Sequence, residues 1–392
     1  MKKHHLIRII NREWRQIASQ KIMWGLILIM PAVIFFSLAA IYQQQSVKDL
    51  PMGVLDQDHS QLSRLIVRSL ESTKTFQFYR YYDNLEQIKK DFKRGKLQAA
   101  IVIPHHLESD VKAGKSGSVV FYQNSTNIIV GNLAYKSAMT TLQTLSLGIS
   151  LKKMEAAGQS ARQAMETVLP ISIETNPLYN PGYNYEHFLI GAMLPIMLQM
   201  VVMISAALIF SAEIKEGLSE LWLIAEGNLL TIVLGKSLPH LFLHISSIFL
   251  LVGLVFPIFQ IPVHGSVLIL ILYLILFIAS VLFLGMLISC LFCNTVLATE
   301  AAIFISTPAF IFTGLTFPLE AMPWLHQLYA RLLPSTYFFT GYLKITNTAG
   351  SLTNLWPNLS ALLVFLAIGF AGSLLLLKQR VAKLSTTSEA VQ

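Results

Sequence analysis

Hydrophobic and polar positions divide this chain into a few long blocks. Six apolar runs lie at 22–42, 188–211, 238–259, 266–290, 296–315 and 357–377, and a polar stretch at 43–187 separates the first from the other five. Each run is close to the ~20 apolar residues that a helix needs to cross the hydrocarbon core of a bilayer. Backbone groups in lipid find no water, so the runs predict helices, whose hydrogen bonds are internal. The pattern predicts an α-helical polytopic membrane protein with six transmembrane helices and an extracytoplasmic α/β domain between the first and second.

Residues 1–21 read as a separate amphipathic helix, with Leu6, Ile9, Ile10 and Ile17 on one face and Arg8, Arg12 and Arg15 on another. A basic amphipathic segment of this kind lies flat at a membrane surface. The run after it exceeds the 7–15 apolar residues of a secretory signal. The expectation is an uncleaved anchor preceded by a cytoplasmic elbow helix.

Within 43–187 the period changes several times. Met52–Leu55, Thr75–Tyr81, Gln98–Ile103 and Val119–Tyr122 read as strands. His59–Glu71 and Leu85–Phe92 carry helical spacing, the first through Leu62, Leu65, Ile66 and Leu70. Alternating strands and helices predict a small α/β domain. From Ile128 to Val168 the pattern predicts a helical arm interrupted near Gly148 and Gly158, closed by Pro170, Pro177 and Pro181. No catalytic constellation is evident, and His105 with His106 lacks a third metal ligand nearby.

Composition sharpens the membrane reading. Hydrophobic residues make up 54% and charged residues 13%, about half the charged share of soluble domains. A net charge of +8 would suit a nucleic-acid binder, but its placement does not. Lys2, Lys3, Arg8, Arg12, Arg15 and Lys21 precede the first run, and Lys378, Arg380 and Lys383 follow the last, in a tail at 378–392. Basic flanks mark the cytoplasmic side, so both termini are expected there. The 43–187 block has no cysteine; Cys290 and Cys293 read as small residues in a helix rather than a redox or metal pair.

The membrane half, 188–377, holds the candidate functional segments. Residues 213–223 carry Glu213, Lys215, Glu216, Gly217 and Glu220, with the three glutamates at i, i+3 and i+7 on one helical face. Ile214, Leu218, Leu221 and Trp222 form the opposite face. Either this is an interfacial helix with a solvated acidic face, or it docks a cytoplasmic partner. Gly235-Lys236-Ser237 imitates the end of a phosphate-binding loop, but Leu230 stands where the loop needs glycine. His240 and His244, one turn apart, are expected to be buried structural histidines. Glu300 falls within the fifth run, either as an intramembrane polar site or as a side chain reaching the interface. Met193, Met197, Met200 and Met203 of the second run read as packing, with an adaptable lining of a transport cavity as the alternative.

After the fifth run, 316–345 remains apolar while Pro318, Pro323 and Pro334 forbid one straight helix. Short helices dipping in from the outer face are expected, with Trp324, Tyr329 and Tyr337 at the interface. Backbone of this kind at membrane depth needs protein or a wet cavity around it, which suits a gate.

Gly314, Pro318, Met322-Pro323 and Leu333-Pro334-Ser335-Thr336-Tyr337 resemble the pattern after the fifth span in permeases of the type-two family of ATP-binding-cassette exporters. The order and spacing match the bacterial drug- and envelope-exporter branch with one-plus-five spans. Glu213-x-x-Glu216-Gly217-x-x-Glu220 resembles that family's coupling segment, without its arginine and threonine. Val54–Ser60 and Ala99–Pro104 are also similar to it.

The resemblance implies a permease subunit in a bacterial inner membrane, moving a drug-like or amphipathic substrate outward. It implies no enzyme activity, catalytic residue, metal or cofactor in this chain, with ATP and Mg on a partner ATPase. Implied partners are that ATPase, a second permease copy or paralogue, a periplasmic adaptor and lipid, with no nucleic acid. The 213–223 helix and the elbow would relay motion, and Gly314, Pro318, Met322, Pro323, Pro334 and Tyr337 would belong to the outer gate. The alternative is a membrane scaffold or receptor component of a secretion system, without transport of its own.

Overall fold

A computed structural model describes residues 3–42, 48–168, 185–216, 218–292, 294–347 and 352–389. Two compact units emerge, one of Met1–Gln45 with Pro177–Gln392 and one of Ser46–Asn176.

In chain order, α1 (Lys3–Ser19) is followed by α2 (Lys21–Trp24), a π-helical turn at Gly25–Ile29 and α3 (Met30–Tyr42). The Ser46–Asn176 unit comprises β1 (Leu50–Asp56), α4 (Gln61–Glu71), β2 (Phe76–Tyr81), α5 (Leu85–Lys93), β3 (Ala99–Ile103), α6 (Leu107–Lys112), β4 (Val120–Gln123), α7 (Ile128–Ala156) and α8 (Ala161–Val168). The chain continues with α9 (Tyr185–Glu216), α10 (Ser219–Ile224), α11 (Leu229–Leu250), a π-helical turn at Leu251–Val255 and α12 (Phe256–Ile258). Then come α13 (Val267–Leu291), α14 (Thr295–Ser306), α15 (Ala309–Phe312), α16 (Trp324–Arg331), α17 (Pro334–Thr346) and α18 (Leu352–Glu389).

In the Ser46–Asn176 unit the strand order is β2-β1-β3-β4. The first three strands are parallel and β4 is antiparallel to β3. The connection through α4 runs from β1 to β2 and that through α5 runs back from β2 to β3, so right-handed crossovers put these helices on opposite faces. Met52, Val54, Ile101 and Ile103 pack with α4 and α7, whereas Leu55, Ala100 and Val102 pack with Ile88 of α5. Covered on both faces, β1 needs apolar side chains throughout. Ser60 and Asn84 accept hydrogen bonds from the backbone N–H of Ser63 and Gln87, capping α4 and α5. Gly148 does not interrupt the arm: α7 runs through it to Ala156. One glycine costs a helix only about 1 kcal/mol, too little to break it. The break falls at Gly158, whose φ is +89°.

In the other unit, six helical segments among the described residues are long and apolar enough to cross a membrane: Lys21–Leu38, Ile196–Ile214, Leu229–Ile258, Val267–Leu291, Thr295–Phe312 and Leu352–Ala382. The chain is therefore a multi-pass membrane protein by length and composition of its helices. Asn228, Ser266 and Asn294 cap the third, fourth and fifth through hydrogen bonds from Thr231, Ile269 and Val296 N–H. Helix α13 is buried along most of its length, between α9 and α18. A Cβ on Gly285 would lie 2.5 Å from Ala206 Cβ, so α9 and α13 approach where both residues are small. Ser289 Oγ ties the same pair, accepting from the N–H groups of Phe210 and Ser211 at 2.8 Å.

Candidate functional site

The amphipathic pattern of α1 buries Ile9, Glu13 and Ile17, four residues apart on the face turned to α11. A Cβ on Gly235 would stand 2.6 Å from Ile9 Cγ2, so the missing side chain lets α1 lie directly on α11. One turn further along, Glu13 meets two side chains of α11, Lys236 and His240, both fully buried. Lys236 Nζ donates to Glu13 Oε2 and, at 2.9 Å, to Glu213 Oε1 at the end of α9. His240 Nε2 lies 3.0 Å from Glu13 Oε1, and since the carboxylate accepts, Nε2 carries the proton. Lys236 Nζ also stands 5.7 Å from the centre of the Phe210 ring.

Arg12 extends the cluster outward. Its guanidinium donates at 2.6 Å to Glu213 and at 3.1 Å to Glu220 of α10. One arginine therefore joins α1, α9 and α10, while Lys236 brings in α11. Two buried carboxylates, Glu13 and Glu213, face two cations, and Glu220 adds an exposed carboxylate at the rim. Burial alone would raise the Glu13 carboxyl. Attraction to Lys236, with hydrogen bonds from His240 and Lys236, outweighs it and holds Glu13 below the usual carboxylate range. Burial likewise opposes the charge on Arg12, and Glu213 and Glu220 overcome it and hold the guanidinium above its ordinary value. A second contact lies beside the cluster, where His5 Nδ1 is 2.9 Å from Ile224 O and Nε2 is 3.3 Å from Glu226.

Glu213 and Glu220 do not share one acidic helical face. Helix α9 ends at Glu216 with Lys215 in its last turn, α10 begins at Ser219, and Gly217 lies outside the described residues. Glu213 is only 5% exposed because Lys236 and Arg12 draw it inward. On α10 the exposed positions are instead Ser219, Glu220 and Leu223, the last at 76%. Gly235-Lys236-Ser237 sits inside α11. His240 and His244 are both buried, His244 with Nε2 2.7 Å from Ser205 Oγ. Glu300 is exposed on α14 and forms no ion pair among the described residues. No group of three metal-ligating side chains occurs among them either.

Sequence reasoning missed Glu13, and two signals pointed to it. Glu13 interrupts the buried Ile9–Ile17 face of an amphipathic helix, and Lys236 stands in an apolar helix where a charge needs a partner.

The segment after the fifth span forms a second, separate arrangement. Gly314 turns the chain with φ +88°, and a Cβ there would lie 3.2 Å from Leu319 Cγ. Pro318, Pro323 and Pro334 each stand at the start of a short helix, where a missing N–H costs nothing. The Met322 carbonyl accepts from Gln327 Nε2 at 2.9 Å. The Tyr337 carbonyl accepts from Tyr273 of α13 and Asn358 of α18 at 2.9 and 2.8 Å, fixing α17 between those helices.

Residues 21–375 match the model of the ABC-2 family transporter protein. The chain is 23% identical over 334 residues to the Escherichia coli probable multidrug ABC transporter permease YbhS, covering 83% of this chain and 84% of that one. It is 27% identical over 191 residues to the probable multidrug permease YbhR of the same organism, covering 48% and 51%. ABC transporter G family member 20 of Dictyostelium discoideum is 24% identical over 344 residues, 85% of this chain and 45% of the longer relative. A helical membrane unit with six candidate spans and a family match across most of its length lead to one assignment: the chain belongs to the ABC-2 family of transporter proteins.

Proposed function

We propose that this chain is the membrane-spanning subunit of an ATP-driven exporter, and that α1, the end of α9 and α10 form the body through which a separate ATPase moves it. The observation that carries this reading is the arrangement of Arg12, Glu13, Glu213 and Lys236. Buried charges are held by partners rather than by water, so displacing any one of these helices alone would strand a charge in the interior. A push on α10 therefore passes to α1 and α11 together. The exposed Leu223, beside Glu220, supplies the contact for the ATPase.

In this reading both termini and α10 are cytoplasmic, in a bacterial inner membrane, and residues 43–187 lie outside it. A second permease copy or paralogue completes the pathway, and a periplasmic adaptor receives what is released. ATP and Mg belong to the ATPase. The segment from Gly314 to Tyr337, with its proline-limited helices, lies at the outer end as the gate. Transport proceeds through two arrangements of the paired membrane units, selected by the nucleotide state of the ATPase. The substrates are drug-like or amphipathic; the Escherichia coli relatives are named probable multidrug permeases.

The test replaces Leu223 by Asp in the chain co-expressed with its ATPase. Co-purification of the ATPase should fall sharply while the chain's own thermal stability stays unchanged. Substitution of the exposed Lys89 and Lys93 by Ala, across the membrane in this reading, should leave co-purification intact. Undiminished co-purification with Leu223→Asp would remove α10 as the contact.

A further inference from the structure

Beside the sheet of the Ser46–Asn176 unit, a cleft of about 380 Å³ opens between α4, α6 and α7. Its apolar side is lined by Leu62 and Ile66 from α4, Leu107 and Val111 from α6, and Leu142 and Leu145 from α7. Ser146 and Ser150 line it from the same face of α7. The charged side chains lining it are two lysines, Lys115 and Lys153, and no carboxylate lines it.

The placement of Lys153 has an unusual local cause. Helix α6 ends at Lys112, and Gly114, two residues on, has φ +82°. The N–H groups of Gly114 and Lys115 then donate back to the carbonyls of Val111 and Asp110 at 3.2 and 2.9 Å. This closing motif satisfies the terminal carbonyls from the backbone, where a lysine would otherwise be drawn to cap them. Because Gly114 has no Cβ, the Lys153 ammonium settles against it, 3.1 Å from where that Cβ would be. There the ammonium has no ion-pair partner among the described residues, whereas Lys115 has only Asp110, at 3.6 Å.

We propose that this cleft binds an amphipathic anion, with its apolar body against Leu62, Leu107 and Leu145 and its carboxylate, sulfonate or phosphate between Lys115 and Lys153. The volume falls in the range of about 300–1,000 Å³ that small-molecule sites occupy, and their usual chemistry is the same: apolar walls with a few convergent polar groups. A cation finds no carboxylate on the walls, and a neutral apolar molecule leaves both ammonium groups unused. The inference does not depend on which side of the membrane the unit occupies.

The full chain in phosphatidylcholine nanodiscs exposes both faces to a soluble probe. Photolabelling with benzophenone-4-carboxylate, followed by peptide mapping, should give saturable labelling of α7 around residues 142–150. The double variant Lys115→Ala, Lys153→Ala should bind the carboxylate about tenfold more weakly, as loss of charge-assisted hydrogen bonds implies. Labelling of the same variant by the neutral 4-hydroxymethylbenzophenone should be unchanged, which also shows that the domain remains folded. Leu145→Trp, which fills the cleft, should suppress both probes. Competition by soluble decanesulfonate or by phosphatidylglycerol in the disc would support the site and identify the anion's source as solution or bilayer. The proposal is overturned if α7 is not labelled, if the neutral probe labels wild type as well as the carboxylate does, or if the lysine variant keeps full affinity.

Discussion

Lys236→Met tests whether the buried cluster holds α1 against α11. Lys236 is fully buried between two carboxylates that are themselves 3% and 5% exposed. Methionine fills similar volume, but it leaves Glu13 and Glu213 sharing one guanidinium and one imidazole. Removing one partner of a buried ion pair costs about 3–5 kcal/mol, because the remaining charge is uncompensated. At about 2 °C per kcal/mol, the scaling for the larger single domains, that predicts a loss of about 6–10 °C in unfolding temperature. The assay is thermal unfolding of the purified chain in a mild detergent near pH 7. The double variant with Glu13→Gln removes the stranded charge along with its partner. Its loss should fall short of the sum of the single losses by about 0.5–3 kcal/mol, the range seen for residues in direct contact. If Lys236→Met unfolds at the wild-type temperature, or if the single losses simply add, the cluster does not secure the elbow.

Three further outcomes follow from the same geometry. Gly235→Ala places a Cβ 2.6 Å from Ile9 Cγ2, so it should increase hydrogen exchange in α1, and Ile9→Ala should restore protection; unchanged exchange would contradict the close approach. Because the folded-state pKa of Glu13 is depressed, its stabilisation is present above the unfolded carboxylate value of about 4.3 and is lost as pH falls through the lower folded value. Protection of α1 should therefore persist from pH 7 to about 5 and fail only in stronger acid, and Glu13→Gln should flatten that dependence. Cysteines replacing Asp83 and Lys383, in a background without Cys290 and Cys293, should show labelling by an impermeant thiol reagent at 83 and not at 383 in intact cells; the reverse would overturn the proposed topology.

Different parts of the molecule were legible for different reasons. The six spans were visible because lipid demands a local property, about 20 apolar residues in one run. The sheet was visible where β1 and β3 are apolar on both faces, and α6 was not, being six residues with no long apolar period. The third span starts at Leu229, nine residues before the apolar pattern alone places it, and takes in Lys236. That lysine is neutralised inside the helix by Glu13, 223 positions away in the chain. No local window contains that pairing. The acidic face at 213–220 failed for the same reason: helical spacing assigns faces, but only the fold shows that Lys236 and Arg12 draw Glu213 inward.

The coupling proposal is tested most directly by a distance between α1 and α10 in working transporter. Spin labels at Arg15 and Ser219, both exposed and outside the cluster, are placed in one protomer and diluted with unlabelled chain, in the complex with its ATPase. Pulsed electron resonance then compares the nucleotide-free and ATP-trapped states. A single body predicts the same narrow distance distribution in both states, and a broadened one after Arg12→Ala. A distance that changes on ATP trapping in the wild type would show that α1 and α10 move independently, and would contradict the account.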